Sequence, residues 1–305
     1  MSLTHEQIVA RRAGVGSSEI LAALGKDSRC SRLELYKRKV GELPDPDFSD
    51  NERVLVGSVI EPAIRSLFED KLGTSIVKFD DTLQHPSVPL VGHPDGIIES
   101  MDCGIEFKNR DWLIFRDEYG EDGTDQVPLR DLVQCVGYME LTGLRRWLVG
   151  VLVGGNERHL FEIHYDADLA AAIRFGVEAF WEYVKRMRPP PPETPEDVKL
   201  MWPKDLGTSI DATSEIETIC AELALAKTEL KAAEQRENEL KAKVQRFMGE
   251  NAVLVGSEGK PLATWKAPQD SLKFDAKQYQ EDHPLLCDPY MRKVPNARRF
   301  LLKLK

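Results

Sequence analysis

A cysteine pair is missing from this sequence. Its five cysteines, Cys30, Cys103, Cys135, Cys220 and Cys287, are scattered, odd in number and without a C-x-x-C spacing. That pattern argues against a disulfide framework and a zinc site, and for reduced thiols in a cytosol. Long apolar runs are missing too, since none approaches the roughly 18 residues of a membrane span. The opening MSLTHEQIVARR lacks the apolar centre of a secretory signal. A cytoplasmic protein without membrane association is therefore expected. Nor is there a net excess of positive charge. The formal net charge is −10 over 305 residues, which weighs mildly against a nucleic-acid binder. With 42 % hydrophobic and 30 % charged residues the chain is nonetheless globular, and longer than one domain usually needs.

What is present is unevenly placed. Residues 1–40 hold eight Lys/Arg against four acids, and the last fourteen residues hold six basic side chains and no acid. Both ends are locally basic on an acidic whole. Residues 188–213, RPPPPETPEDVKLMWPKDLGTSIDAT, read as an extended proline-rich linker, because four consecutive prolines suit neither helix nor central strand. Before it, residues 1–187 read as one domain. Helices are expected near 17–24, 31–39 and 51–72, and strands near 75–79, 89–98 and 103–109. A helix over 128–142 follows, then strands in RRWLVGVLVGG and HLFEIHY and an amphipathic helix from 167 to 187. The nearly continuous apolar run 147–153 suits a central strand covered on both faces. The expected architecture is α/β, a central mixed sheet flanked by helices.

After the linker, a long helix over 214–249 opens on a capping box, Ser214-Glu-Ile-Glu217. Ile216, Ile219, Leu223, Ala226, Leu230, Ala233, Glu237, Leu240, Val244 and Phe247 recur along it at spacings that alternate three and four. That is a coiled-coil seam. Residues 250–305 read as a small basic segment of hairpin, short helix and final strand in RRFLLKLK.

The chemistry concentrates in VGHPDGIIESMDCGIEFKNR, residues 91–110. Glu-x-Lys alone means little, since it occurs five times. Here, however, LVGHPDGII and CGIEFKN flank a turn-like SMD and read as antiparallel arms. Pairing them brings Asp95 and Glu106 to the same end of the hairpin. Strand alternation puts Glu106 and Lys108 on one face and Phe107 on the other. Two close carboxylates repel unless protonated or bridged by a cation, and oxygen donors suit Mg²⁺ or Mn²⁺. A neighbouring Lys can orient water and stabilise charge at a phosphate. A solvent-facing hairpin with a cross-strand ion pair fits the local pattern as well. Glu61 is a further acid, beside the apolar stripe Ile60, Ile64, Leu67, Phe68 of the 51–72 helix and directly before Pro62. It can face the sheet and join a metal cluster, or sit on the helix rim.

Taken in order, RRAGVGSSEILAALG, GSVIEPAIRSLFED, HPDG, GIEFKN, VPLRDLVQCVGYMELTG and WLVGVLVGG resemble the YqaJ-type viral recombinase, lambda exonuclease-like branch of the PD-(D/E)xK nucleases. The resemblance covers about residues 11–187 and implies a restriction-endonuclease-like core that hydrolyses DNA phosphodiesters with Mg²⁺, Mn²⁺ being able to substitute, on two ions. By motif position it implies Asp95, Glu106, Glu61 and the main-chain carbonyl of Phe107 as metal ligands, and Lys108 as the group that positions or deprotonates water. Gln134 and Tyr138 match a Gln-x-x-x-Tyr helix beside the active site. Arg12, Ser17 and Ser18 match a segment that grips a 5′-phosphate, and a glycine-serine turn before a helix, with an arginine, offers donors to an anion. A plain N-cap by either serine fits that turn as well. His93 has no role in the pattern.

The implied activity is 5′-to-3′ digestion of double-stranded DNA ends in phage-type recombination, in a bacterial host. A single-strand annealing recombinase would be its partner, and the chain would form a homo-oligomer, by analogy a trimer. An endonuclease or nickase on the same core, or a non-catalytic DNA-binding and assembly module, are the alternatives. Residues 188–305 have no counterpart in the compact lambda-type enzyme.

Overall fold

The computed structural model describes residues 13–46, 51–79, 81–292 and 298–303. The chain divides into two compact units, Met1–Met201 and Trp202–Lys305. In the first, β1 (Val15–Gly16) leads through a 3-10 turn over Ser17–Glu19 into α1 (Ile20–Ala23). Next comes α2 (Arg32–Lys39), capped by the Ser31 hydroxyl, which accepts from the Glu34 N–H at 3.0 Å. Then α3 (Glu52–Leu72) starts at the Asn51 cap and stops at Gly73, whose φ of 65° lies in the left-handed region. Pro62 is interior to it, so this helix lacks one N–H donor midway.

Three short strands follow: β2 (Leu83–Gln84), β3 (Leu90–Gly92) and β4 (Gly96–Ile98). The eight-residue β5 (Cys103–Arg110) precedes α4 (Trp112–Glu118), a helix the sequence pattern did not suggest, and α5 (Leu129–Thr142). The unit ends with β6 (Arg146–Val153), β7 (Glu157–His164), α6 (Ala167–Lys185) and α7 (Pro195–Met201).

The main sheet has the order β4-β5-β6-β7. Its outer pairs are antiparallel and its central β5–β6 pair is parallel. A parallel neighbour requires a crossover, and α4 and α5 supply it. This is the mixed α/β architecture expected, with a restriction-endonuclease-like arrangement of hairpin, crossover and edge strand. Helices cover both faces. Ile64 and Phe68 of α3 pack on Ile105, Phe107, Leu148 and Leu152, while Cys135 and Met139 of α5 pack on Trp147, Val149 and Phe161 of the other face. The two central strands approach closely at Gly104, where a Cβ would come within 2.3 Å of the Trp147 ring. A third core joins α1, α2 and α6 to α5 and the small sheet β1-β3-β2.

Three expectations need correction here. The arm 89–98 is not one strand. It breaks at His93–Asp95, so that Leu90–Gly92 pairs with β1 and β2 and only Gly96–Ile98 pairs with β5. The strand near 75–79 is a single bridge, Val77 to Ile97. The proline stretch does not leave the first unit at 188 either. It runs on into α7, where the buried Asp197 accepts from the Ser31 hydroxyl and from the Glu193 N–H at 3.0 Å.

In the second unit, α8 (Ser214–Met248) is capped one residue earlier than the capping box suggested. Thr213 Oγ1 accepts from the Ile216 N–H at 3.3 Å. The hairpin of β8 (Val253–Val255) and β9 (Pro261–Thr264) follows, then α9 (Ala276–Asp282) and α10 (Pro284–Cys287). The described part of RRFLLKLK, residues 298–303, is not in a strand. Among the described residues no helix is long and apolar enough to cross a membrane.

Candidate active site

A central strand covered on both faces should be apolar, because buried polar groups cost energy unless hydrogen-bonded. In β5 two positions break that rule. Phe107 points toward α3 and packs against Phe68, with ring centroids 5.7 Å apart and the rings tilted by 30°. Its neighbours Glu106 and Lys108 point the other way, toward α5, and Glu106 is only 5 % exposed. The alternation is as the sequence required. The partners that stabilise these charges come mostly from α5.

Glu106 Oε1 accepts from Lys108 Nζ at 2.7 Å and from Gln134 Nε2 at 2.9 Å. The amide of Gln134 is fully used, since its oxygen accepts from Lys108 at 3.0 Å and its nitrogen also donates to the Tyr138 hydroxyl at 2.9 Å. Tyr138 lies against Trp147 and donates in turn to the His93 carbonyl at 3.3 Å, so His93 enters through its backbone. Glu106 Oε2 is buried without any hydrogen-bond partner.

Asp95 sits in the gap between β3 and β4, one position beyond the Gly96–Ile105 pair, which places it opposite Glu106. Its Oδ2 accepts from the Phe107 N–H at 2.8 Å. Burial holds its carboxyl well above the usual range, and the charge of Glu106 pushes it further, against the pull of the Phe107 N–H. For Lys108, burial alone would lower the pKa. Glu106 and then Asp131 outweigh it and raise the ammonium above its ordinary value.

Two contributors were missed by sequence reasoning. Asp131 of α5 is buried, accepts from the Tyr119 hydroxyl, and lies 3.7 Å from Lys108 Nζ and 3.4 Å from Arg110. Asp131, Gln134 and Tyr138 are spaced i, i+3, i+7, a polar stripe on one helix face that could have revealed it. Arg65 of α3 donates to the Asp95 carbonyl at 2.7 Å and lies over the Phe107 ring at 5.5 Å. It also pairs with Glu61 at 3.8 Å. Glu61 is thus half-exposed beside the cluster and held by Arg65. Among the described residues no three acids, histidines or cysteines are gathered as a metal-binding set.

The N-terminal turn departs from the anion cradle expected of it. Arg12 lies outside the described residues. The Ser17 hydroxyl is buried and donates to the Val91 carbonyl at 3.2 Å, while Ser18 is exposed. The Gly16 N–H is already taken by the Glu19 carboxylate at 2.7 Å, and Lys39 pairs with that same carboxylate. The turn is capped by its own acid.

The raised Asp95 carboxyl makes a prediction for the metal-free protein. Its folded pKa lies above its unfolded one, so the folded state holds the extra proton. Stability is therefore lost as pH rises from the ordinary carboxylate range toward the raised value. Asp95→Asn removes that loss while keeping an oxygen for the Phe107 N–H. In EDTA its melting temperature should exceed the native one, by roughly 2–4 °C per kcal/mol relieved, with the gap widening from about pH 4 to pH 8. Thermal denaturation of both proteins across that range decides it; a gap that narrows with rising pH contradicts the assignment.

Residues 8–145 match the family model of the YqaJ-like viral recombinase domain. YqaJ of Bacillus subtilis (strain 168) is 24 % identical over 307 residues, covering 98 % of this chain and 93 % of that protein. Among solved structures, the alkaline exonuclease LHK-Exo from Laribacter hongkongensis is 17 % identical, with a TM-score of 0.48, over 60 % of this chain and 94 % of its own. A phage related exonuclease from Haemophilus somnus 129PT is 13 % identical, with a TM-score of 0.44, over 57 % of this chain and 94 % of its own.

Proposed function

Residues 8–145 match the YqaJ-like viral recombinase domain, and from that premise we propose that this protein is a metal-dependent deoxyribonuclease. It digests double-stranded DNA from an end, 5′ to 3′, in phage-type recombination. One observation carries this: Asp95 and Glu106 converge beside Lys108, and one buried Glu106 oxygen is left without a partner. Two close carboxylates, one raised first by burial and further by the other's charge, fit a hard divalent cation. Asp95, Glu106 and the Phe107 carbonyl would hold Mg²⁺ or Mn²⁺, and the family resemblance adds Glu61 as a further ligand. When bound, such an ion polarises the scissile phosphate and lowers the pKa of water.

The chain's own residues do the rest. Lys108, held protonated between Glu106 and Asp131, acts as a donor: it orients the attacking water and stabilises charge developing on the phosphate. Gln134 fixes both Lys108 and Glu106, and Tyr138 fixes Gln134. Polarity rests on the family resemblance, which offers Ser18, an exposed hydroxyl, and Arg12 as the groups for a 5′-phosphate. An annealing recombinase that takes up the exposed strand is the partner this role implies.

The test is an assay on linear duplexes, 5′-phosphorylated and not, beside a closed circle, with and without Mg²⁺. Release of 5′-terminal nucleotides from linear DNA only, and only with Mg²⁺, is expected. Cleavage of the circle would point instead to an endonuclease or nickase, and DNA binding without cleavage to a non-catalytic module.

A further inference from the structure

The seam of α8 is uncovered in its own unit: Leu230 is 61 % exposed, Leu240 53 % and Phe247 79 %. It runs without a slip from Ile216 to Phe247, roughly 47 Å and more than four heptads, enough for a stable coiled coil. The residues that flank it say what covers it. With Ile216 at a and Ile219 at d, the e positions include Lys227 and Glu234, and the g positions are Glu222, Glu229, Arg236 and Lys243.

In an antiparallel pair of identical helices, g faces g and e faces e. Centring the overlap between Lys231 and Ala232 sets Glu222 of one copy against Lys243 of the other, Glu229 against Arg236, and Lys227 against Glu234. Two-fold symmetry repeats each contact. Every charged flanking pair is then of opposite sign. A parallel in-register pair does worse: Glu222 meets Lys227, but Glu229 meets Glu234 and Arg236 meets Lys241. At its centre the antiparallel register also packs large against small, Leu230 on Ala233. It brings Glu237, the one charged seam position, beside Ala226, where its stem can reach past to solvent.

We propose that α8 pairs two copies of this chain as an antiparallel coiled coil. The contact is two-fold and isologous, unlike the cyclic trimer that the family resemblance implies for the first unit. It does not depend on the nuclease reading.

Sedimentation equilibrium of the full chain tests it, with circular dichroism confirming that each variant keeps its helix. Leu230→Asp should weaken association about a hundredfold or more, because it puts a charge at the centre of the seam in both copies. Glu229→Lys and Arg236→Glu should each weaken it on the order of tenfold, since each turns two attractive contacts repulsive. The double variant should recover most of that loss. A native chain that stays monomeric at roughly 100 µM, or a Leu230→Asp variant that associates like the native protein, overturns the proposal. So does tightening by either single reversal, the signature of a parallel pair.

Discussion

Replacing Lys108 by alanine is expected to cut Mg²⁺-dependent nucleotide release from linear duplex by roughly three orders of magnitude or more. Loss of one donor aimed at developing charge costs about a hundredfold to a thousandfold by itself. Here the same ammonium also orders the site, because it bonds Glu106 at 2.7 Å and Gln134 at 3.0 Å. Without it, Glu106 and Asp131 face each other's charge across a buried space. Lys108→Arg should rescue little. A planar guanidinium cannot take the place of a compact ammonium between a carboxylate and an amide oxygen. The loss should appear in kcat with little change in the affinity for DNA, since a side chain only 13 % exposed contributes little to binding the duplex. Glu106→Ala should be equally inactive, for want of an oxygen to hold the cation. Both variants should keep their near-native circular dichroism. A Lys108→Ala protein that digests DNA at the native rate would remove Lys108 from the mechanism.

The two strands that carry this site were legible because a two-residue period is a local property. Alternation alone separated Glu106 and Lys108 from Phe107, and the hairpin turn brought Asp95 to the same end. Which sheet each half of the first arm would join was not local. Pro94 offers no N–H to a ladder, and the chain changes sheets there, which leaves Asp95 free of strand pairing and turned onto the Phe107 N–H. The apolar 147–153 run announced a central strand. The cost of burying Glu106 became plain only once β5 was found between β4 and β6.

Other features depended on contacts distant in sequence. Glu61 could be read as a ligand or a rim residue, and the outcome depends on Arg65, which reaches from the same helix to the Asp95 carbonyl. The Ser17 hydroxyl looked available to an anion, but it is spent on Val91, 74 positions away. The proline stretch looked like a spacer because no local pattern reveals that Asp197 would meet Ser31.

Asp131→Ala should have the largest effect on stability, a loss of about 3–5 kcal/mol in metal-free protein. The carboxylate is 1 % exposed and lies between two cations, Lys108 at 3.7 Å and Arg110 at 3.4 Å, while accepting from the Tyr119 hydroxyl. Alanine leaves Arg110 without this acid, Lys108 with Glu106 alone, and a buried hydroxyl without its acceptor. It also opens a small void under α5. Asp131→Asn keeps the shape and one acceptor but turns an amide donor toward cations, so its stability should fall between the alanine variant and the native protein. Urea denaturation in EDTA measures the loss. A cost below about 1 kcal/mol would mean that the charges are solvated and the cluster is looser than its distances show. Coupling separates the electrostatic part from the void. In a double-mutant cycle with Arg110→Met, the loss from Asp131→Ala should shrink by about 1–2 kcal/mol, because the cation it would strand is already gone. Packing alone would leave the two losses additive. The same variant bears on catalysis: with Asp131 removed, Lys108 keeps its bonds to Glu106 and Gln134 but loses one of the anions that hold its proton. Activity should fall while DNA affinity holds, which marks Asp131 as a positioning residue that acts through Lys108.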